Sequence, residues 1–281
     1  MRKNKKNGKN VYLIICIVSG LIALAAVASI LVLLIQAKHA EDDYRKLAQT
    51  VHGSVAEATQ MPEGAAGKNT SGQKTEAIPS PIPQPVDIPI DFKYLRSQNS
   101  DVIGWINVPG TDIDYPVLYD TSDDLYYLSH TYTGTYNFAG SIFVLDDNTD
   151  NFTDFNTVVY GHNMASGAMF AQLHRFEKKD FFDEHNTIVL YTPESKLTYR
   201  IFAAYRTDNL NIMQNNDFST SAARSDYIAG IYEHSYANFD HDVAVTADDR
   251  IVTLSTCIGN AAYRYVVQGE LTSNEPGVYG G

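Results

Sequence analysis

Arg250-Ile251-Val252-Thr253-Leu254-Ser255-Thr256-Cys257 is followed by Ile258-Gly259-Asn260-Ala261-Ala262-Tyr263 and then by Arg264-Tyr265-Val266-Val267. The stretch reads as two β-branched strands joined by a six-residue loop. Cys257 closes the first strand and Arg264 opens the second. If the strands pair as antiparallel neighbours, these two residues face each other at one rim, with Cβ atoms roughly 5 Å apart. A thiol beside a permanently charged guanidinium suits nucleophilic chemistry. The cation favours thiolate and can hold a developing oxyanion.

Six further strand-like pieces precede this pair: Val102–Val108, Asp114–Leu118, Ser141–Leu145, Thr157–Tyr160, Thr187–Tyr191 and Leu197–Tyr205. With Arg250–Cys257 and Arg264–Leu271 they make eight strands, rich in β-branched and aromatic residues, which points to a closed or nearly closed barrel. Asp91 is placed to cap a short helix at its start. Helical inserts are expected at Ala168–Phe176 and Ser221–Tyr236, the second with Tyr227, Ile228, Ile231 and Tyr232 at helical spacing. No internal repeat is evident.

The chain begins differently. Val11 to Ile35 is a run of 25 uncharged, mostly apolar residues, long enough to cross a bilayer as a helix. Arg2, Lys3, Lys5, Lys6 and Lys9 precede it without an acidic residue, so the positive-inside rule keeps that end in the cytoplasm. The run exceeds the h-region of a cleaved signal peptide, and no small-x-small site closes it. Glu41 to Gln60 has helical spacing (Tyr44, Leu47, Ala48, Val51) and is expected to form a juxtamembrane helix. Met61 to Pro89 holds six of the ten prolines, the composition of an extended, semi-rigid stalk. The organisation expected is therefore a basic cytoplasmic tail over 1–10, a membrane helix over 11–35, a juxtamembrane helix and stalk over 36–90, and a catalytic domain over 91–281.

Charge narrows the partners. The net charge is −12, and without the five basic residues of the tail 16 basic residues face 33 acidic ones. An outer part near −17 argues against nucleic acid and anionic lipid as ligands. Of the two cysteines, Cys16 lies in the apolar run, where it acts as a small filler. Cys257 is then the only thiol outside the membrane, and an unpaired thiol in an exported domain points to reactivity or an intermolecular bridge.

A reactive Cys needs a proton acceptor or a cation nearby. His162 follows Val158-Val159-Tyr160-Gly161 at another strand end, and strand ends at one rim converge even when distant in sequence. Such a histidine can later protonate a leaving amine. Ser255 shares a strand face with Cys257; a hydrogen bond in the site and a structural role are both open for it. Ser255 and Thr256 are counted as auxiliary site residues.

These motifs together carry a resemblance. Thr253-Leu254-Ser255-Thr256-Cys257 resembles the TLxTC signature of sortases, the membrane-anchored cysteine transpeptidases of Gram-positive bacteria. Tyr160-Gly161-His162-Asn163-Met164 is similar to the segment around their catalytic His, and Arg264-Tyr265-Val266-Val267 to that around their Arg. Asp101-Val102-Ile103-Gly104-Trp105-Ile106, Gly140-Ser141-Ile142-Phe143, Gly167-Ala168-Met169-Phe170 and the long insert from about Asp208 to Asp248 resemble class B in particular. The resemblance spans nearly all of residues 91–272. It implies the eight-stranded sortase barrel, with Cys257 as nucleophile, His162 as acid/base and Arg264 as transition-state stabiliser. It also implies a substrate that is a secreted protein with a C-terminal sorting motif, cleaved after Thr. The acceptor would be an amine of a peptidoglycan precursor or a pilin Lys. The insert would form one wall of the peptide groove, and the product would be a protein displayed at the cell surface.

No cofactor or metal is called for. Asp146-Asp147-Asn148-Thr149-Asp150 begins like a calcium loop, but Asn151 stands where Gly is needed and Thr157 where Glu is needed, so a polar loop is expected. His130, His174, His185, His234 and His241 have no HExxH or CxxC context. Two rivals remain at this level. One is a hydrolytic cysteine protease with the same three residues, and the other a non-enzymatic, membrane-tethered binding module on a stalk.

Overall fold

The computed structural model describes residues 4–58, 85–235, 237–259 and 262–278. The expected stalk lies outside them as far as Gln84, as do the first three residues of the basic tail. The chain forms two compact units, Met1–Asp43 and Tyr44–Gly281.

Helix α1 spans Asn4–Ala58. Among the described residues it holds the one segment long and apolar enough to cross a membrane. The helix expected to begin anew at Glu41 is its continuation, since no proline or glycine stands between Ile35 and Tyr44 to break it. Within the second unit, Tyr44, Leu47 and Val51 recur at helical spacing and are buried in the main apolar core.

Eight strands make a barrel: β1 Val102–Asn107, β2 Asp114–Tyr119, β3 Ile142–Val144, β4 Asn156–Tyr160, β5 Thr187–Tyr191, β6 Ser195–Asp208, β7 Ile251–Cys257 and β8 Tyr263–Val278. Their order is β8-β7-β4-β3-β2-β1-β5-β6, and β6 pairs back with β8 to close the ring. The pairs β2/β3 and β4/β7 are parallel and the others antiparallel. Closure removes free strand edges. Two-residue segments, Val86–Asp87 and Asn238–Phe239, pair with the stretches of β8 and β6 that run past β7 and β5.

Trp105, Ile106, Leu190, Ile201 and Leu254 are among the side chains buried in the core, each contributing about 1.5–3 kcal/mol. The buried Trp105 keeps its polar end satisfied, donating from Nε1 to Asp114 Oδ1 at 2.7 Å. His52 approaches the same carboxylate, Nε2 to Oδ2 at 3.1 Å, while its Nδ1 donates to the Pro89 carbonyl at 3.1 Å. A second apolar cluster lies between Phe202, Tyr205 and Val266 of the barrel and Ile228 and Ile231 of a helix in the β6–β7 insert.

That helix, α2, runs Ser221–Ile231, capped by Thr220 Oγ1 accepting from Ala223 N at 3.1 Å. It ends five residues before the expected Tyr236, because Tyr232, Glu233 and His234 bond back three residues and not four. The other expected insert, Ala168–Phe176, is a 3-10 helix, Ala171–Glu177, followed by a short α-helix, Lys179–Glu184. Phe170, Leu173 and Phe176 are all buried, and their spacing of three suits the 3-10 period. The helix started by Asp91 is Phe92–Gln98, with Asp91 Oδ1 accepting from Tyr94 N at 2.8 Å.

Candidate active site

β7 is the strand around which the site forms. It is flanked by β8 on one side and β4 on the other. Arg264 stands directly opposite Cys257 in the antiparallel pair. Its Nη1 donates to Cys257 Sγ at 2.7 Å. On the parallel side Tyr160 aligns with Ser255. The pairing continues one step beyond the strand, since Gly161 N donates to the Ser255 carbonyl at 3.1 Å. Thr256 Oγ1 also donates to the Gly161 carbonyl, at 2.8 Å. This brings His162 beside the end of β7.

The three polar residues line one cavity of about 280 Å³. Cys257, His162 and Arg264 are each partly exposed there, whereas Ser255 and Thr256 are buried beneath them. Ser255 lines the same cavity, and Thr256 braces the turn that carries His162. The cavity wall is otherwise largely apolar, with Leu125 and Leu128 on the β2–β3 connection and Leu210 and Ile212 on the β6–β7 insert.

His162 is oriented by main chain. Its Nε2 lies 2.7 Å from the Leu128 carbonyl. A carbonyl only accepts, so Nε2 carries the proton and Nδ1 is left for proton exchange. Leu128 is held in turn by a tight neighbour. Gly140 has φ +58, and a Cβ there would meet the Leu128 carbonyl oxygen at 2.6 Å. Only glycine allows that approach. The adjacent Ser141 N donates to the Tyr127 carbonyl at 2.9 Å, and its Oγ to the His130 carbonyl at 2.7 Å. Tyr44 of α1 reaches this corner, its hydroxyl 2.8 Å from Ser141 Oγ and 3.1 Å from the Gly140 carbonyl. Burial pushes the Tyr44 phenol above the ordinary tyrosine range. Sequence reading missed Leu128, Gly140, Ser141 and Tyr44 as supports of the site, although Gly140-Ser141 stood within a family-like motif.

A domain model of the sortase family matches residues 106–272. The chain belongs to the sortase family. Sortase B of Listeria monocytogenes is 37% identical over 186 residues, covering 65% of this sortase and 74% of that protein. Sortase B of Staphylococcus aureus is 33% identical over 167 residues, covering 59% and 67%. Among solved structures, a Staphylococcus aureus sortase B–substrate complex superposes with TM-score 0.67 at 26% identity, covering 85% of this sortase and 99% of that chain. Clostridium perfringens sortase B gives 0.59 at 33% identity, covering 65% and 100%. The similarity is to class B, and the barrel is the sortase barrel. Sortases are cysteine transpeptidases, so this sortase is an enzyme, and the binding-module reading falls.

The remaining polar candidates have structural work. Asp147 Oδ2 accepts from Asn211 Nδ2 at 2.7 Å and from Gln214 Nε2 at 2.9 Å, tying its loop to the insert. Asn148 is buried and bonds to the Asn156 carbonyl and the Val158 N–H. His130 stacks on Tyr126, and His234 stacks on Tyr205 with its pKa lowered by burial.

Proposed function

We propose that this sortase cleaves a C-terminal sorting motif of secreted proteins after Thr and joins the new acyl end to an amine of a cell-wall precursor or a pilin Lys. The observation that carries the reading is the 2.7 Å contact from Arg264 Nη1 to Cys257 Sγ in a cavity that His162 also lines. Cys257 gives its thiol proton to His162 Nδ1, and Sγ attacks the Thr carbonyl carbon so that a C–S bond forms. The displaced π electrons settle on oxygen, where Arg264 and nearby N–H groups stabilise them. As the C–N bond breaks, the proton on His162 Nδ1 goes to the leaving amine. An amine then attacks the thioacyl carbon, loses a proton to His162, and the thiolate departs. Ser255 and Thr256 support the strand end in this scheme, and no cofactor takes part.

The apolar walls suit a peptide laid between the β2–β3 connection and the β6–β7 insert. The staphylococcal neighbour solved with its substrate supports a peptide in this groove. The apolar part of α1 favours a single-pass anchor over 11–35, with the tail of 1–10 in the cytoplasm, 36–90 as spacer and 91–281 as catalytic domain outside.

The test is a peptide library incubated with full-length protein in detergent, with and without an added amine. Cleavage that depends on Cys257 and yields amide product is expected. Turnover retained in Cys257→Ala would overturn the site, and a product released only to water would favour the hydrolytic rival.

A further inference from the structure

A second polar cluster holds the main chain of Cys257 instead of its thiol. Cys257 ends β7, and the chain then turns away through Gly259 at φ +81. Past that point the ladder no longer fixes the main chain. The Cys257 carbonyl instead meets side chains. It accepts from Asn163 Nδ2 at 2.9 Å and lies 3.0 Å from His174 Nε2. His174 Nδ1 lies 2.7 Å from Glu177 Oε1, and the ring stacks on Tyr265 at 5.0 Å. Asn163 is the neighbour of His162 and Tyr265 the neighbour of Arg264. The cluster thus touches the chain at each of the three site residues.

We propose that His174 and Asn163 are a positioning pair for the nucleophile, acting on its carbonyl without touching substrate. The inference rests on the reading of Cys257 as nucleophile. The Cα of Cys257 is tetrahedral. Cys257 follows Thr256 in a strand paired with β8 to its end, and its C is held through the clamped carbonyl, so the direction of Cβ is set from both sides. That direction sets where Sγ meets Arg264. A displacement of about 1 Å at a reacting atom costs on the order of 100-fold in rate.

The clamp is satisfied in either protonation state of His174. Carbonyl and carboxylate oxygens only accept. With both nitrogens protonated, His174 donates to Cys257 and to Glu177 together. With Nδ1 alone protonated, it keeps Glu177, and Nε2 accepts from Asn163 Nδ2, 3.1 Å away. The two amide hydrogens of Asn163 then serve Nε2 and the Cys257 carbonyl. Asn163 holds the carbonyl in both states and His174 adds to it when Nε2 is protonated, so the two overlap on one oxygen.

The test uses full-length protein in detergent and four variants: His174→Phe, His174→Gln, Asn163→Ala and the double Asn163→Ala/His174→Phe. Phe keeps the stack on Tyr265 and loses both nitrogens, and Gln returns a donor. Peptide cleavage gives kcat and KM, and iodoacetamide gives the alkylation rate of Cys257 without substrate. The single variants are expected to lose a few-fold in kcat and the double roughly 100-fold, with KM nearly unchanged. The excess over the product of the singles marks a shared oxygen. His174→Gln should recover most of the loss, and the alkylation rate should move with kcat. A folded double variant with wild-type kcat and alkylation rate overturns the clamp, as does a loss in His174→Phe that Gln does not recover. If unsubstituted protein shows no turnover dependent on Cys257, the transpeptidase reading fails instead, and the alkylation rates decide the clamp alone.

Discussion

Replacing Tyr44 by Phe removes a single oxygen far from the thiol in sequence, and it should weaken both the fold and the chemistry. The hydroxyl is buried, lies 2.8 Å from Ser141 Oγ and accepts from Tyr132 N at 3.1 Å. Ser141 Oγ donates to the His130 carbonyl, so the one Tyr44 proton is shared between Ser141 Oγ and the Gly140 carbonyl. Loss of such a buried partner costs about 1–3 kcal/mol. Tyr44→Ala also deletes a ring packed edge-on against Tyr115 at 5.5 Å and tilted against Tyr132 at 5.4 Å. Its cost rises to about 3–5 kcal/mol. The corner relaxed by Tyr44→Phe includes Gly140 and the Leu128 carbonyl that orients His162, so kcat should fall while Cys257 stays paired with Arg264. Trp105, the one tryptophan of the chain and buried in the barrel, reports unfolding in urea by fluorescence. Peptide cleavage measured in parallel reports kcat. An unchanged urea midpoint together with an unchanged kcat in Tyr44→Phe would refute the reasoning.

Other outcomes follow from single contacts. Arg264→Lys keeps the charge but loses the planar fork that meets Cys257 Sγ and, in the proposed step, would also hold the oxyanion, so kcat should drop on the order of 100–1000-fold; near wild-type kinetics would reduce Arg264 to a surface charge. His52 has its pKa raised, chiefly by the hydrogen bond to Asp114. Burial pushes the Asp114 carboxyl up, but hydrogen bonds from His52, Trp105 and Asn107 outweigh it and the net shift is downward. The raised His52 stabilises fully below its ordinary value of 6.5 and fades as pH climbs through its folded value. The lowered Asp114 stabilises above its ordinary value of 3.8 and fades as pH falls through its folded value. His52→Gln should therefore destabilise most between these two ordinary values and least in alkali; an equal gap in urea midpoint on both sides of the window speaks against the pair. Leu210 is exposed at the cavity mouth, so Leu210→Asp should raise KM for the sorting peptide, leaving stability within about 0.5 kcal/mol. Unaltered peptide preference would place recognition elsewhere on the barrel.

Much of the barrel was legible because its strands are short and rich in Val, Ile and Tyr, and because turn residues separate them. The pairing of Cys257 with Arg264 was legible for a local reason: one loop joins their strands, so strand ends become neighbours. The parallel partner of β7 was harder. Tyr160 and Ser255 are 95 positions apart, and only the closed topology aligns them. The supports of His162 were hidden for the same reason, since they come from two distant segments, the β2–β3 connection with Leu128 and Gly140 and helix α1 with Tyr44, and the contact to His162 is a main-chain oxygen. His174 carries no motif. Its role rests on contacts with Glu177, Tyr265 and Cys257, the last 83 positions away. The helical pattern of Tyr44, Leu47 and Val51 was visible, but its target was not, because an amphipathic face does not say what it covers.

The place of β7 between two ladders has a mechanical side. In the proposed cycle a thioacyl bond joins a long exported polypeptide to Cys257, and any pull on that polypeptide is a pull on the strand. β7 is buried and bonded laterally to β4 and to β8 at once. Force along its axis loads both rows of hydrogen bonds in shear, all sharing the strain, and does not peel them singly. A nucleophile on a free edge would unzip under the same tension. Set in the interior of a closed ring, Cys257 of the proposed cycle would keep its acyl group in place under that tension until an acceptor arrives.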